Sequence, residues 1–510
     1  MRPTQPVGWA EVAVRPRALL SFRGRWRVLH LTWMALFLSF LVWFSFAPLA
    51  TQVGRSLGLT APQLAALSLC NVALTVPGRV LVGMAVDRWG SRRVYGAVLL
   101  YAAVPTLVFA TASSFRLLVA SRLAVSLVGA GFVAGVRMMA EWFPPHEIGL
   151  AQGIYGGWGN AGSAAAAFTL PTVAAMVGGP EGWRWAIGTT GALAAVYGGV
   201  YLRAVSDTPD GSADRRALRR GALEVNHPAA VVGVVALQVP LVGVLALVAW
   251  QLARLDLLQL DALRAVLTGL VVVFCVQVWR ALAVNRPARR RARAPDDDRI
   301  RAIVTLCLAY AVTFGSGLAV VSMLPGFFAD TFGLSPLVAG LVVSAYAFTN
   351  LVARPAGGLC SDLLGSRQRT LQVVLVGLAV GYAGMASVQR SWLLAATVAV
   401  ASSLFVHAGA GATYAIVPLV EPRACGQIAG LVGAYGNVGA LLYLALLPIV
   451  GPARFFAVIA VSAVAVAASL RWLPEPQAAG LTDRRLSRTA PLPAGTAPLP
   501  EAVACPEGRP

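Results

Sequence analysis

RVLVGMAVDRWGSRR occupies residues 79–93, and RPAGGLCSDLLGSRQR occupies residues 354–369. Aligned on their arginines, both read Arg-x3-Gly-x3-Asp-x2-Gly-Ser-Arg. Arg79, Gly83, Asp87, Gly90, Ser91 and Arg92 return, at one constant offset, as Arg354, Gly358, Asp362, Gly365, Ser366 and Arg367. A second pattern repeats at almost the same offset: Gly153, Gly156, Gly159, Asn160 and Gly162 return as Gly430, Gly433, Gly436, Asn437 and Gly439. Two long patterns at nearly one spacing mark an internal duplication. In a membrane carrier such a duplication puts the substrate site between the repeats, near the bilayer midplane.

The composition says membrane. The chain has 510 residues, of which 58% are hydrophobic and only 12% charged, and the mean hydropathy is +0.72. Soluble domains carry about 25% charged residues, so a water-soluble enzyme is excluded, as are collagenous, disordered and disulfide-scaffold classes. The 41 basic residues are all Arg, and against 21 acidic residues they give a net charge of +20. Most of that Arg lies in short loops between apolar runs, where it sets topology, so no nucleic-acid partner is expected. Cys70, Cys275, Cys307, Cys360, Cys425 and Cys505 are scattered without CxxC or metal-ligand spacing; neither a disulfide framework nor a metal is expected.

A spanning helix needs about 20 apolar residues. Such runs cover 28–50, 62–86, 93–112, 116–140, 150–176 and 184–203, then 229–250 and 262–283, then 301–328, 335–359, 370–388, 391–418, 425–450 and 453–472. The reading is an all-α polytopic membrane protein of 6 + 6 core helices with a central two-helix hairpin, fourteen in total. The expected regions are an N-tail (1–27), a first six-helix bundle (28–203), a central linker (204–300) carrying the hairpin 229–283, a second bundle (301–472) and a disordered Pro/Ala-rich tail (473–510). The first span is too long for a cleaved signal peptide. Arg15, Arg17, Arg23, Arg25 and Arg27, then Arg88, Arg92 and Arg93, then Arg215, Arg216, Arg219 and Arg220, then Arg286, Arg289, Arg290, Arg291 and Arg293, then Arg367 and Arg369 mark one face, while the alternate loops carry single residues such as Arg55, Arg116, Arg390 and Arg454. The positive-inside rule puts both termini in the cytoplasm of a multi-pass protein of the cell membrane.

A charge inside a bilayer costs about 2.5–3.5 kcal/mol on insertion scales and marks function by default. Arg79, Arg122, Arg137 and Arg354 fall within spans, whereas Asp87, Glu141, Asp330 and Asp362 fall at helix ends. The interior is then cationic without a countercharge, and a bound anion is the simplest repair. Arg79 and Arg354 are the symmetry pair, each about 12 Å deeper than its Asp at 1.5 Å per residue. Their planar forks suit a small, flat, multi-oxygen anion. Arg122 and Arg137 have no repeat partner and read equally well as structural or gating contacts. The Gly stripes allow close helix approach, and Asn160 and Asn437 within them can donate to anion oxygens. The loop with Asp87, Arg88 and Arg92, together with Asp362, reads as a gate latch.

Gly83-x3-Asp87-Arg88-x-Gly90-x-Arg92-Arg93 resembles the cytoplasmic loop motif of the major facilitator superfamily. Trp142-Phe143-Pro144 with GIYGGWGNAGSA (153–164), and AGAGATYAIVP (408–418) with GLVGAYGNVGA (430–440), resemble the nitrate/nitrite porter family more specifically, over roughly 28–203 and 301–472. The resemblance implies the major facilitator fold and nitrate and nitrite as substrates. It implies Arg79 and Arg354 as the substrate-binding arginines, and Tyr310, Phe314 and Phe132 as rings near the anion. Phe37 or Phe40 could join these rings, although ordinary packing suits both better. Asn160 and Asn437, with Gly159 and Gly436, would line the same cavity. The hairpin 229–283 and Ala410, where relatives often have Asn, depart from the family pattern.

The expected mechanism is alternating access with nitrate/nitrite antiport. Proton/nitrate symport is the alternative, with His407 as the possible proton site, although such a His is more often neutral and hydrogen-bonded. An organic-anion or drug exporter and a non-transporting anion sensor are the remaining rivals. No nucleophile–base pair or cofactor constellation supports an enzyme, and no cofactor is expected. The protein is expected to act as a monomer in the lipid bilayer.

Overall fold

The computed structural model describes residues 19–208, 223, 225, 228–285, 297–388 and 391–475. Arg15, Arg17, the Arg clusters at 215–220 and 286–293, and the tail beyond Glu475 lie outside the described residues.

The helices run in order α1 (Gly24–Trp43), α2 (Ala50–Leu57), α3 (Ala61–Ala73), α4 (Thr75–Trp89), α5 (Ser91–Thr111), α6 (Phe115–Ser126), α7 (Phe132–Trp142), α8 (Ile148–Val177) and α9 (Gly182–Ala204). The central hairpin is α10 (Pro228–Ala236), α11 (Val239–Arg254) and α12 (Leu260–Val284). After it come α13 (Asp297–Phe332), α14 (Pro336–Phe348), α15 (Asn350–Leu363), α16 (Arg367–Ser387), α17 (Trp392–Val420) and α18 (Cys425–Ser469). An all-helical solution follows from the apolar composition, because a lipid-facing backbone must satisfy its own hydrogen bonds.

Twelve helical segments among the described residues are long and apolar enough to cross a membrane. This differs from the expected fourteen at two places. The α9 helix, which carries Arg184 and Arg203, is not among the twelve. The final segment, Pro422–Trp472, is counted as one span of 51 residues, although Gly451 inside it has left-handed φ of 76° between Pro448 and Pro452 and breaks the helix there. The expected hairpin is present as two of the twelve, Ala230–Arg254 and Leu260–Val284.

The duplication is visible in the breaks. The first Arg-bearing segment interrupts at Leu74, between α3 and α4, and the second at Thr349, between α14 and α15, at the offset that separates the two arginines. Each break therefore lies the same short distance along the chain before its arginine. Between α6 and α7 the chain tightens into a 3₁₀ turn, Leu127–Gly131; a Cβ on Gly129 would lie 2.8 Å from the Trp43 ring, so only glycine fits under that indole. The two most extensive pairings between the repeats set α4 along α18 and α8 along α15. Arg79 and Arg354, the candidate site residues, lie where these pairs cross.

Candidate anion site between the repeats

The Gly stripes make the crossing possible. A Cβ on Gly83 would run into the Gly426 carbonyl, and one on Gly358 into the Gly149 carbonyl. With only hydrogen there, the α4 and α18 backbones touch, as do those of α15 and α8. The stripes then seat the arginines crosswise. A Cβ on Gly156 of α8 would lie 2.6 Å from Nε of Arg354, and one on Gly433 of α18 would lie 3.1 Å from Cδ of Arg79. Each repeat thus supplies an arginine and a bare helix face that receives its counterpart's arginine.

Arg79 and Arg354 are each 1% exposed. Their guanidinium carbons stand 5.4 and 5.5 Å from the centroid of the same ring, Phe132. Arg79 is also 5.4 Å from the Phe314 centroid. Arg79 donates from Nη1 to the Gly433 carbonyl at 2.5 Å, and Arg354 donates from Nη2 to the Tyr310 hydroxyl at 3.1 Å. Nε of each has no hydrogen-bond partner among the described residues. No carboxylate pairs with either among those residues, so the charge here is uncompensated by protein; a buried cation in that position favours an anionic ligand.

An aromatic frame surrounds the pair. Tyr310 and Phe314 stack at 5.0 Å and 4°, and Tyr414 stands edge-on to both Tyr310 at 4.8 Å and Phe132 at 4.9 Å. The Tyr414 hydroxyl donates to the Ala429 carbonyl at 3.0 Å. Tyr414 enters the sequence reading only as a letter within a motif; its nearness to Gly433 is the feature that pattern reading lacks. Asn437 is fully buried, and neither its amide nitrogen nor its oxygen has a partner among the described residues. The Asn160 oxygen is likewise unpartnered.

Not every expected residue faces the arginines. A Cβ on Gly159 would meet Leu36 of α1, whereas one on Gly436 would lie 2.6 Å from the Tyr310 ring. Gly159 therefore serves packing against α1, and Gly436 supports the aromatic stack. Phe40 packs on Trp43 and Phe44, and the Phe37 carbonyl lies against Gly162. Arg122 donates to the Trp43 carbonyl at 2.9 Å and lies over Phe46 and Phe109, away from the frame. His407 lies 5.8 Å from the Tyr346 ring, with an unpartnered Nε2.

At the far end of the same helices, Asp87 accepts from the Gly426 and Gln427 N–H groups at 2.8 Å each. Asp362 accepts from the Gly149 and Leu150 N–H groups at 3.0 and 2.8 Å. Each carboxylate caps the first turn of a helix from the other repeat, where unpaired N–H groups and the helix dipole favour negative charge. Arg137 lies 3.2 Å from Asp87, and Arg367 lies 2.8 Å from Asp362. Arg137 also pairs with Glu141 and donates to the Pro422 carbonyl at 2.8 Å, so this one intraspan arginine is answered by protein. Its spacing from Glu141, one helical turn, is the available sequence signal. Arg88 is exposed over Trp89. Arg92 bonds Asp207 and the Leu202 carbonyl. Both stand apart from these cross-repeat contacts.

The Major Facilitator Superfamily model matches residues 32–294 and 306–503. The chain is 46% identical over 456 residues to the nitrate/nitrite transporter NrtP of Picosynechococcus sp., covering 84% of this chain and 85% of that protein. It is 42% identical over 459 residues to NrtP of Nostoc punctiforme, covering 88% and 92%. Among solved structures, the human organic anion transporter MFSD10 aligns with a TM-score of 0.60 at 14% identity, covering 88% of this chain and all of that one. A double-tryptophan variant of XylE aligns with a TM-score of 0.65 at 14% identity, covering 91% and 98%. These two likenesses concern the fold alone. The duplicated loop, the paired Gly-Asn stripes and the identity to NrtP together place this transporter chain, which is not an enzyme, in the nitrate/nitrite porter family of the Major Facilitator Superfamily.

Proposed function

We propose that the protein moves nitrate and nitrite across the cytoplasmic membrane by alternating access, as a nitrate/nitrite exchanger. The observation that carries this reading is the pair of buried guanidinium groups against one Phe132 ring, each with an unpartnered Nε and no carboxylate among the described residues. A flat oxyanion presents several oxygens in a plane, matching two forks edge-on while the aromatic rings cover its faces. The names carried by the NrtP relatives support the same substrates.

Exchange follows from electrostatics. Two facing guanidinium groups repel in a medium of low dielectric. Occlusion therefore needs an anion between them, and an empty carrier does not return. Asp87 and Asp362 act as paired latches on the cytoplasmic side, holding α18 and α8 against α4 and α15 until the repeats rock apart. On this reading both termini are cytoplasmic, each repeat crosses the membrane six times around the central hairpin, and the unit of transport is a monomer.

Proteoliposome uptake of labelled nitrate tests it. Uptake rises strongly when the vesicles are loaded with nitrite, and an imposed pH gradient leaves it unchanged. Uptake that ignores internal anion and follows the pH gradient would replace exchange with proton symport.

A further inference from the structure

Both arginines rest on one ring, and only one repeat supplies it. Gly129, Ala130 and Gly131 return as Gly409, Ala410 and Gly411, which sets Ala412 opposite Phe132. Whatever holds Phe132 therefore governs both guanidinium groups at once. Phe132 is also a joint in the chain, the first residue of α7 directly after the 3₁₀ turn Leu127–Gly131.

Tyr155 of α8 is fully buried against this joint. Its ring stacks on the Phe132 ring at 5.7 Å and 17°, and its hydroxyl donates to the Phe132 carbonyl at 2.8 Å. One side chain thus grips both the ring and the main chain of the same residue. Tyr155 is itself fixed from several directions. A Cβ on Gly135 would run into the Tyr155 ring, so the ring fills a notch that glycine leaves open. Just under one turn back along α8, Gln152 donates from Nε2 to the Val136 carbonyl at 2.8 Å. Val136 lies one turn beyond Phe132, so two side chains of α8 dock on successive turns of α7. The Tyr95 hydroxyl lies 3.4 Å from that of Tyr155, and a Cβ on Gly131 would lie 2.9 Å from Cε2 of Tyr95.

The second repeat makes a related bond in the opposite sense. There the tyrosine comes from α17, with the Tyr414 hydroxyl on the Ala429 carbonyl of α18; in the first repeat it comes from α8 and lands on α7. At the stripe offset Tyr155 corresponds to Val432. The two tyrosines nevertheless meet at Phe132, Tyr155 stacked on it and Tyr414 at right angles to it. Aromatic pairs favour these two geometries, and a phenol adds a polar handle to them. We propose that Tyr155 is a positioning residue for the anion site: its ring and hydroxyl hold Phe132 where that single ring serves both arginines, and so keep the two forks at the separation a small flat oxyanion needs. Tyr155 acts through Phe132, without touching the anion. The inference rests on the functional reading above.

Its test uses the full chain in proteoliposomes loaded with nitrite, with initial uptake of labelled nitrate measured over a range of external concentrations. Tyr155→Phe keeps the stacked ring and removes the bond to the Phe132 carbonyl. It raises the KM for nitrate about two- to tenfold, the range for one buried hydrogen bond, while kcat holds. Tyr155→Leu removes the stack as well and raises KM further. The decisive arm repeats Tyr155→Phe in a Phe132→Leu background, where KM changes no further, because a residue that acts through the ring then has no ring to place. For variants that transport poorly, the nitrate-dependent rise in unfolding temperature of the purified protein gives the same comparison as an apparent affinity. An unchanged KM in Tyr155→Phe overturns the assignment. So does an equal loss with and without the Phe132 ring, which marks a bond that only stabilises the packing of α7 on α8. A wild type that neither binds nor moves nitrate overturns the functional reading and the positioning role with it, whereas an active wild type confines any failure to Tyr155.

Discussion

Arg79 and Arg354 occupy equivalent points of a duplicated sequence, yet they are held by different partners. Arg79 is tied to a main-chain carbonyl, Gly433; Arg354 is tied to a side-chain hydroxyl, Tyr310. The seats differ as well. Gly156 lies directly under the Arg354 guanidinium, whereas Gly433 lies under the Arg79 stem and the Tyr414 hydroxyl. Duplication therefore kept the charge and its depth while letting its environment diverge. Arg79 is anchored to backbone that no substitution can remove. Arg354 hangs from a side chain, which makes it the more adjustable of the two.

The largest effect expected from breaking this arrangement comes from the charges themselves. Arg79→Lys and Arg354→Lys each lower anion uptake by about 100-fold or more, because an ammonium keeps the charge but cannot present two parallel N–H donors. Uptake assays set beside thermal unfolding of the purified protein check this. Full activity in either Lys variant would remove the planar-fork argument.

A smaller effect separates the two seats. Gly156→Ala places a methyl 2.6 Å from Nε of Arg354, while Gly433→Ala places one 3.1 Å from Cδ of Arg79. Overpacking of this kind costs about 1–3 kcal/mol, and the tighter seat takes the upper part of that range. Gly156→Ala thus reduces anion binding by about tenfold or more, and Gly433→Ala by less, as measured by binding isotherms. An inverted order would show that Arg79, rather than Arg354, is the less tolerant partner.

The smallest effect is expected at the latches. Asp87→Asn and Asp362→Asn remove the charge from bonds that charge roughly doubles in strength. Each change shifts the resting protein toward separation of the α4–α18 and α8–α15 ends, with transport altered about three- to fivefold. Distance measurements between spin labels on those helix ends report the shift. Equal effects mean the two repeats share the load; an effect in only one variant means the gate is lopsided.

Much of this was legible in the sequence, and the reason is period and offset. Apolar runs announce helices, and a motif that recurs once, at a fixed offset, names the two arginines and the two aspartates without any coordinates. The repeat could not say that the partners are exchanged, with each Gly stripe serving the other repeat's arginine. That depends on which helices cross, a property of packing at long sequence separation. The same limit hides Tyr414, which matters because α17 delivers it beside Gly433, and it assigns Gly159 to the cavity when Leu36 covers it. For Arg137 the sequence offers only Glu141, one turn on, because Asp87, its other partner, lies far away along the chain. The count of segments misses at α9 and Gly451, where charge and a kink blur a rule based on length and hydropathy.

The link between Tyr435 and the central hairpin has a consequence for how the protein can be re-engineered. Pro240 brings no N–H to the start of α11, and the Tyr435 hydroxyl donates to the nearby Leu237 carbonyl at 3.0 Å. Tyr435 lies between Gly433 and Asn437 on the helix that lines the arginine pair. Excising residues 228–285 to mimic a twelve-helix relative would strand a phenol in hydrocarbon, two positions from the substrate face. A chimera that swaps the hairpin must therefore swap position 435 with it, for instance to Phe, so the two form one transplantable module.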